Sequence, residues 1–220
     1  MTMTNPFFDH PILNSPYEYP RRHWELDAEG QPTQKIIEDR RRAAFITPIP
    51  KPKKRKAVLS QAEMVFDEGH GLSTAQQQYD VTSILDEVRQ QVTRWRNRPQ
   101  SAWQVTPETA RLLQHWRHHE CSGVRPFFCQ VEAVETAIWV TEVASQSKAG
   151  KGVLEHLEAA NKDANPALSR LALKLATGAG KTTVMAMIIA WQAVNAVRRP
   201  GSKHFARGDC QERCRSSALR

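Results

Sequence analysis

The sequence predicts an α/β fold, mostly helical, that opens with an extended arm and ends in a first strand, a phosphate-binding loop and a helix. Three observations lead there. Residues 169–176 alternate with period two at Leu171, Leu173 and Leu175. The run Thr177-Gly178-Ala179-Gly180-Lys181-Thr182-Thr183 follows at once, and Met185, Ile188, Ile189 and Ala193 then recur at helical spacing. Most of the periodic sequence upstream of residue 169 is helical, whereas residues 1–60 carry no sustained period at all.

Taken in chain order, residues 1–60 contain many prolines and scattered aromatics, which predicts an extended arm with few elements of its own, able to wrap another domain. The arm ends in Lys51-Pro52-Lys53-Lys54-Arg55-Lys56. Such a cluster reads either as a solvated charge run or as contacts to DNA phosphates through Lys51, Lys53, Lys54, Arg55 and Lys56; it also has the form of a nuclear import signal.

Residues 61–124 read as a helical region. Val81, Ile84, Leu85, Val88, Val92 and Trp95 share one helical face, with Asp80 as cap and Pro99 as stop. Thr106-Pro107-Glu108 supplies a cap, a first-turn proline and an early acid for a second helix through Leu112, Leu113 and Trp116. His115, His118 and His119 lie on it without the intervening glutamate of a zinc-protease helix, so they read as solvated or packing residues.

Residues 125–208 hold the chemistry. Pro126 suits a first helical turn, and Val131, Val134, Ala137 and Ile138 carry that helix to about residue 145. A polar loop over 146–150 and a short helix over 153–160 lead to the expected strand. Glycines at 178 and 180 let successive N–H groups converge on phosphate oxygens, and the following helix aims its positive dipole end at the same anion. Lys181 is placed for the β- and γ-phosphates, Thr182 for a Mg²⁺ shell through its hydroxyl. The loop with Thr177, Ala179 and Thr183 therefore implies ATP or GTP with Mg²⁺. The match is to the short core Gly-x-Gly-Lys-Thr, because Leu175 stands where the longer pattern has glycine.

The run Arg125-Pro126-Phe127-Phe128-Cys129-Gln130 ahead of Ala176-Thr177-Gly178-Ala179-Gly180-Lys181-Thr182 resembles the opening of a superfamily 2 helicase motor. Asn14-Ser15-Pro16-Tyr17-Glu18, Pro20-Arg21-Arg22-His23-Trp24, Thr47-Pro48-Ile49-Pro50-Lys51-Pro52-Lys53-Lys54 and Leu112-Leu113-Gln114-His115-Trp116-Arg117 extend the likeness. Together they resemble the restriction-endonuclease-like DEAD/DEAH-box helicases, the R (res) subunits of type III restriction enzymes, over residues 8 to 208. The resemblance implies a RecA-like helicase domain over 125–208 and a bacterial, ATP-driven motor on duplex DNA, with a modification-methyltransferase subunit as a further partner. It makes Gln130 the adenine reader, since the amide offers both a donor and an acceptor. ATP and Mg²⁺ are the implied cofactors.

The catalytic half of such a motor is expected to be missing. A later acidic residue must hold Mg²⁺, yet after Lys181 only Asp209 and Glu212 are acidic. Residues 209–220 are polar, basic and aperiodic, and read as a truncated or frameshifted tail. Met64-Val65-Phe66-Asp67-Glu68-Gly69-His70 spells an acidic box, but it precedes the phosphate loop and reads as an exposed turn.

Composition sets the remaining bounds. The 220 residues carry a formal charge of +8 with a pI near 9.6, which favours a polyanionic partner. A mean hydropathy of −0.57 and 25% charged residues fit one core. There is no membrane-length apolar run and no signal-peptide pattern at the start, so a cytoplasmic location is expected. The four cysteines, at 121, 129, 210 and 214, read as reduced thiols, and Cys129 as a small buried hydrophobe. Two functional classes stay open: a remnant of a DNA-translocating enzyme, or a standalone nucleotide- or DNA-binding accessory protein. A P-loop kinase is the runner-up family, but it leaves the Arg-Pro-aromatic run and the leader unexplained.

Overall fold

The computed structural model describes residues 6–27, 29–42, 74–118, 125–164, 169–202 and 205. The chain divides into two compact units, one of Arg42–Glu87 and one of Met1–Arg41 with Val88–Arg220. The basic cluster 51–56, the acidic run 64–70, His119, Cys121, Cys210, Cys214 and the tail 209–220 lie outside the described residues.

The arm contains more structure than its composition suggests. A four-residue helix, α1 (Pro6–Asp9), precedes an antiparallel hairpin of β1 (His23–Leu26) and β2 (Pro32–Ile37). Its turn is built by Asp27, whose Oδ1 accepts the N–H groups of Glu29 and Gln31 at 3.1 and 2.7 Å. Trp24 is the anchor, buried under Phe7 at a ring separation of 5.9 Å and donating its Nε1–H to the His10 carbonyl.

Helix α2 (Thr74–Arg96) starts one and a half turns before the expected cap, so Asp80 lies inside it. The preceding Thr-Ala-Gln-Gln-Gln run contains good helix formers that extend the helix backwards. Val88, Val92 and Trp95 on its C-terminal half enter the core. Helix α3 (Pro107–His118) opens as the sequence predicts: Thr106 accepts the Thr109 N–H on its hydroxyl at 3.1 Å, with Pro107 in the first turn.

Helix α4 (Phe128–Ile138) runs on through a π-turn, Trp139–Val143, and a 3₁₀ turn, Ala144–Gln146, where a single helix was expected. The Thr141 hydroxyl donates to the Ala137 carbonyl at 2.8 Å, a local bond that competes with the regular ladder where the winding changes. Helix α5 (Lys148–Ala164) starts earlier than expected because Ser147 caps it, accepting the Gly150 N–H at 3.0 Å.

Residues 169–176 correct the strand expectation. They join no ladder, and the described strands belong to the arm. A strand is completed by its neighbours, and none flanks this one among the described residues. Helix α6 (Lys181–Arg198) then packs on α4 and α3 through Val184, Met187 and Trp191. The core gathers Val92, Trp95, Trp103, Leu113, Val134, Ile138 and Trp139 with these three. Each such side chain contributes about 1.5–3 kcal/mol on full burial.

Two polar networks cross this core. In the first, Glu132 and Glu135 of α4 meet three arginines from separate segments. Arg40 makes a two-pronged contact with Glu132 at 2.7 and 2.6 Å; Arg96 and Arg117 reach Glu135, which is 1% exposed, at 2.5 and 2.6 Å. Burial alone would raise the Glu132 pKa, but the Arg40 hydrogen bonds and the charges of Arg40 and Arg96 outweigh it and hold the carboxyl below its ordinary value. Burial likewise opposes the charge on Arg40, and Glu132 overcomes it. For Arg117 burial wins, so its pKa falls. The Arg117 Nη2 has no hydrogen-bond partner, and the guanidinium lies 4.5 Å over the Trp103 ring instead.

In the second network Glu142, in the π-turn, accepts from the Thr106 N–H, the Thr109 hydroxyl and Trp191 Nε1–H at 2.8, 2.8 and 2.9 Å. Asn195, fully buried, donates to Thr109 and accepts from Thr106. These bonds fasten α3 and α6 to the end of α4.

Candidate functional site

The loop 177–183 is a turn feeding a helix. The Ala179 N–H donates to the Ala176 carbonyl at 3.3 Å, and Gly178 in the third position has φ +81°, the angle a type II turn requires there. Gly180 follows in the left-handed region at φ +74°, ψ 48°, as N-cap of α6. The helical ladder begins with Thr183 and Val184, which both donate to the Gly180 carbonyl. The amides of Lys181 and Thr182 precede it, as the first N–H groups of a helix do.

The sequence-predicted residues 177–183 thus come together at one helix end, as its spacing requires. The Lys181 ammonium folds back to the Ala176 carbonyl at 3.1 Å, and Lys181, Thr182 and Thr183 are exposed. A Mg²⁺ that arrives with a nucleotide takes most of its ligands from phosphate oxygens and water, and the Thr182 hydroxyl at this helix start is of the type that would complete the shell. Among the described residues no group of three or more His, Cys, Asp or Glu could hold a metal by itself.

Gln130 joins the site from α4. Its Oε1 accepts the Phe127 N–H at 2.9 Å, its Nε2 donates to the Ala179 carbonyl at 2.9 Å, and the side chain is buried at 6% exposure. A Cβ on Gly180 would overlap Gln130 Nε2. The helix start that carries Gln130 is held by the arm: the Phe128 N–H donates to the Pro16 carbonyl at 2.8 Å, Tyr17 packs on Phe127 and Tyr19 on Phe128, and Arg125 reaches the Tyr17 carbonyl. The leader segment around Asn14 and the Arg125 run are therefore one unit in space. Asn14 fixes the arm's own bend by accepting the N–H groups of Arg21 and Arg22.

Cys129, expected to be buried, is exposed. One step along a helix turns the side chain by about 100°, and Gln130 takes the inward position. His115 and His118 are exposed on α3. The two acidic networks escaped the sequence reading. Glu132 and Glu135 are three apart on α4, a spacing that puts both on one face, but their arginine partners come from positions 40, 96 and 117 and share no local pattern. No helix among the described residues is long and apolar enough to cross a membrane. Neither protein-family models, curated proteins nor solved structures match the chain.

Proposed function

We propose that the loop 177–183 binds a nucleoside triphosphate with Mg²⁺, ATP by the family resemblance, and that the chain is the nucleotide-binding part of a DNA-dependent helicase or translocase similar to type III restriction R subunits. One observation carries the reading: two positive-φ glycines turn the chain into an eighteen-residue helix whose first residue is Lys181. Anion affinity there comes from the amides of the helix start, its dipole and the lysine together. Duplex DNA is the proposed polyanionic partner, held through phosphates by Lys51, Lys53, Lys54, Arg55 and Lys56. The unladdered segment 169–176 favours a second reading, an accessory protein that binds nucleotide without turning it over.

A titration with Mg²⁺–ATP tests the first reading. Lys181→Ala removes a charge-assisted hydrogen bond to phosphate and should weaken binding on the order of 10- to 100-fold. Equal binding by variant and parent would overturn it. Steady-state phosphate release with and without duplex DNA tests the accessory reading, which turnover at the rate of working enzymes, about 1 s⁻¹ or faster, would overturn. For the arm, changing the five basic residues to glutamine should weaken duplex binding alike for unrelated sequences and flatten its salt dependence, by roughly 0.9 in log–log slope for each phosphate that is no longer neutralised. Unchanged affinity and slope would leave the cluster a solvated charge run.

A further inference from the structure

We propose that Gln130 is a positioning residue that holds the phosphate loop through the Ala179 carbonyl, so that affinity for the phosphates, and not the choice of base, depends on it. The inference rests on the nucleotide reading above. The orientation of the amide follows from its partners: the Phe127 N–H can only donate and the Ala179 carbonyl can only accept, which assigns Oε1 to the first and Nε2 to the second. Reading adenine would call on the same two groups at once, an N–H donor and the carbonyl acceptor. Each already has one bond to backbone at 2.9 Å, and with the residue 6% exposed the second N–H and second lone pair have little access to a base.

Neither partner is free to withdraw. Phe127 sits under the Tyr17 ring, 5.5 Å between centroids, and the next residue is tied to the Pro16 carbonyl. On the other side Ala179 precedes the N-cap glycine, and the space a Cβ of Gly180 would need is filled by Gln130 Nε2. The amide therefore spans two fixed backbones: the start of α4, secured by the arm, and the point where the loop turns into α6. The incoming segment 169–176 has no ladder to hold the loop from its other end. A loop held in place before ligand arrives spares the ordering cost that binding would otherwise meet. Lys181, by contrast, makes an exposed bond to Ala176 that a phosphate can replace.

The test uses the full chain with three Mg²⁺-loaded probes: ATP, GTP and inorganic tripolyphosphate, which has no base. Gln130→Met keeps the volume without the amide. Gln130→Glu keeps an acceptor for the Phe127 N–H and sets a carboxylate oxygen against the Ala179 carbonyl. A positioning role predicts that both variants lose affinity for all three probes by a common factor of about ten, with the ATP-to-GTP ratio unchanged. Should the methionine variant not fold, the glutamate variant decides alone. Loss of ATP affinity with tripolyphosphate binding intact makes Gln130 a base reader and overturns the proposal, as does unchanged binding of all three. A parent chain that binds none of the probes overturns the nucleotide reading itself, a failure visible before any variant is made.

Discussion

Helix α4, whose Gln130 bonds to the loop at Ala179, and the segment 169–176 that leads into that loop are built on opposite terms. The helix satisfies its backbone internally and leaves its side chains for others: Glu132 and Glu135 gather three arginines, and Gln130 reaches the loop. Residues 169–176 have the alternation of a strand but lack a ladder. Leu173 and Leu175 turn toward the core while Leu171 stays 42% exposed. Their nearest substitute for a neighbouring strand is Asn161 of α5, whose amide accepts the Arg170 N–H at 2.8 Å and donates to the Arg170 carbonyl at 3.0 Å. A helix can be completed by its own sequence, whereas a strand is completed by another. The element that would carry phosphate is thus the one whose order depends on contacts from elsewhere.

The largest effect should come from the helical side. Glu135→Gln leaves Arg117 without its buried counter-charge and Arg96 with Glu132 alone at 3.4 Å, and removing one partner of such a buried pair costs about 3–5 kcal/mol. Urea unfolding would show it, and a loss under about 1 kcal/mol would mean that the network contributes little to the body. The same network fixes an acid dependence. The Glu132 carboxyl titrates below its unfolded value of about 4.3, so the native state binds fewer protons than the unfolded chain. Its contribution is complete above that unfolded value and is lost as pH falls through the lower folded one. Glu132→Gln should therefore flatten the fall in urea midpoint between about pH 5 and the acid limit. An unchanged slope would place the acid sensitivity elsewhere.

What the sequence made legible follows the same division. Helices α3 and α6 and the glycine turn before α6 were readable because cap, period and spacing are local: Thr106-Pro107 at one start, Gly180-Lys181 at the other. The strand reading at 169–176 failed because alternation reports which residues could face a core, and says nothing of whether a partner strand exists. The hairpin in the arm had a signal that proline content obscured, the Asp27 to Gly30 turn after the alternating run His23-Trp24-Glu25-Leu26. Gln130 was visible as a residue of interest from its place in a resemblance, but its bond to Ala179, forty-nine positions away, is a tertiary fact.

A smaller effect should appear on the loop side. Asn161→Ala removes both bonds to Arg170, and since these are exposed it should lower global stability by no more than about 1 kcal/mol. The amides of 170–175 should nevertheless exchange faster, because local order there has few other supports. If global stability falls with them, the segment is part of the cooperative core and the contrast with α4 is weaker than the contacts indicate.

The most direct measurement is amide hydrogen exchange of the full chain with and without saturating Mg²⁺–ATP. Without nucleotide, amides over 171–183 should exchange faster than those of α4 and of the C-terminal half of α2. With it, protection should rise over 177–183 and the first turn of α6 while the helical body stays unchanged. No change at 177–183 under saturating nucleotide would contradict the account at its centre, because the loop would then be a turn between two elements and not a phosphate site.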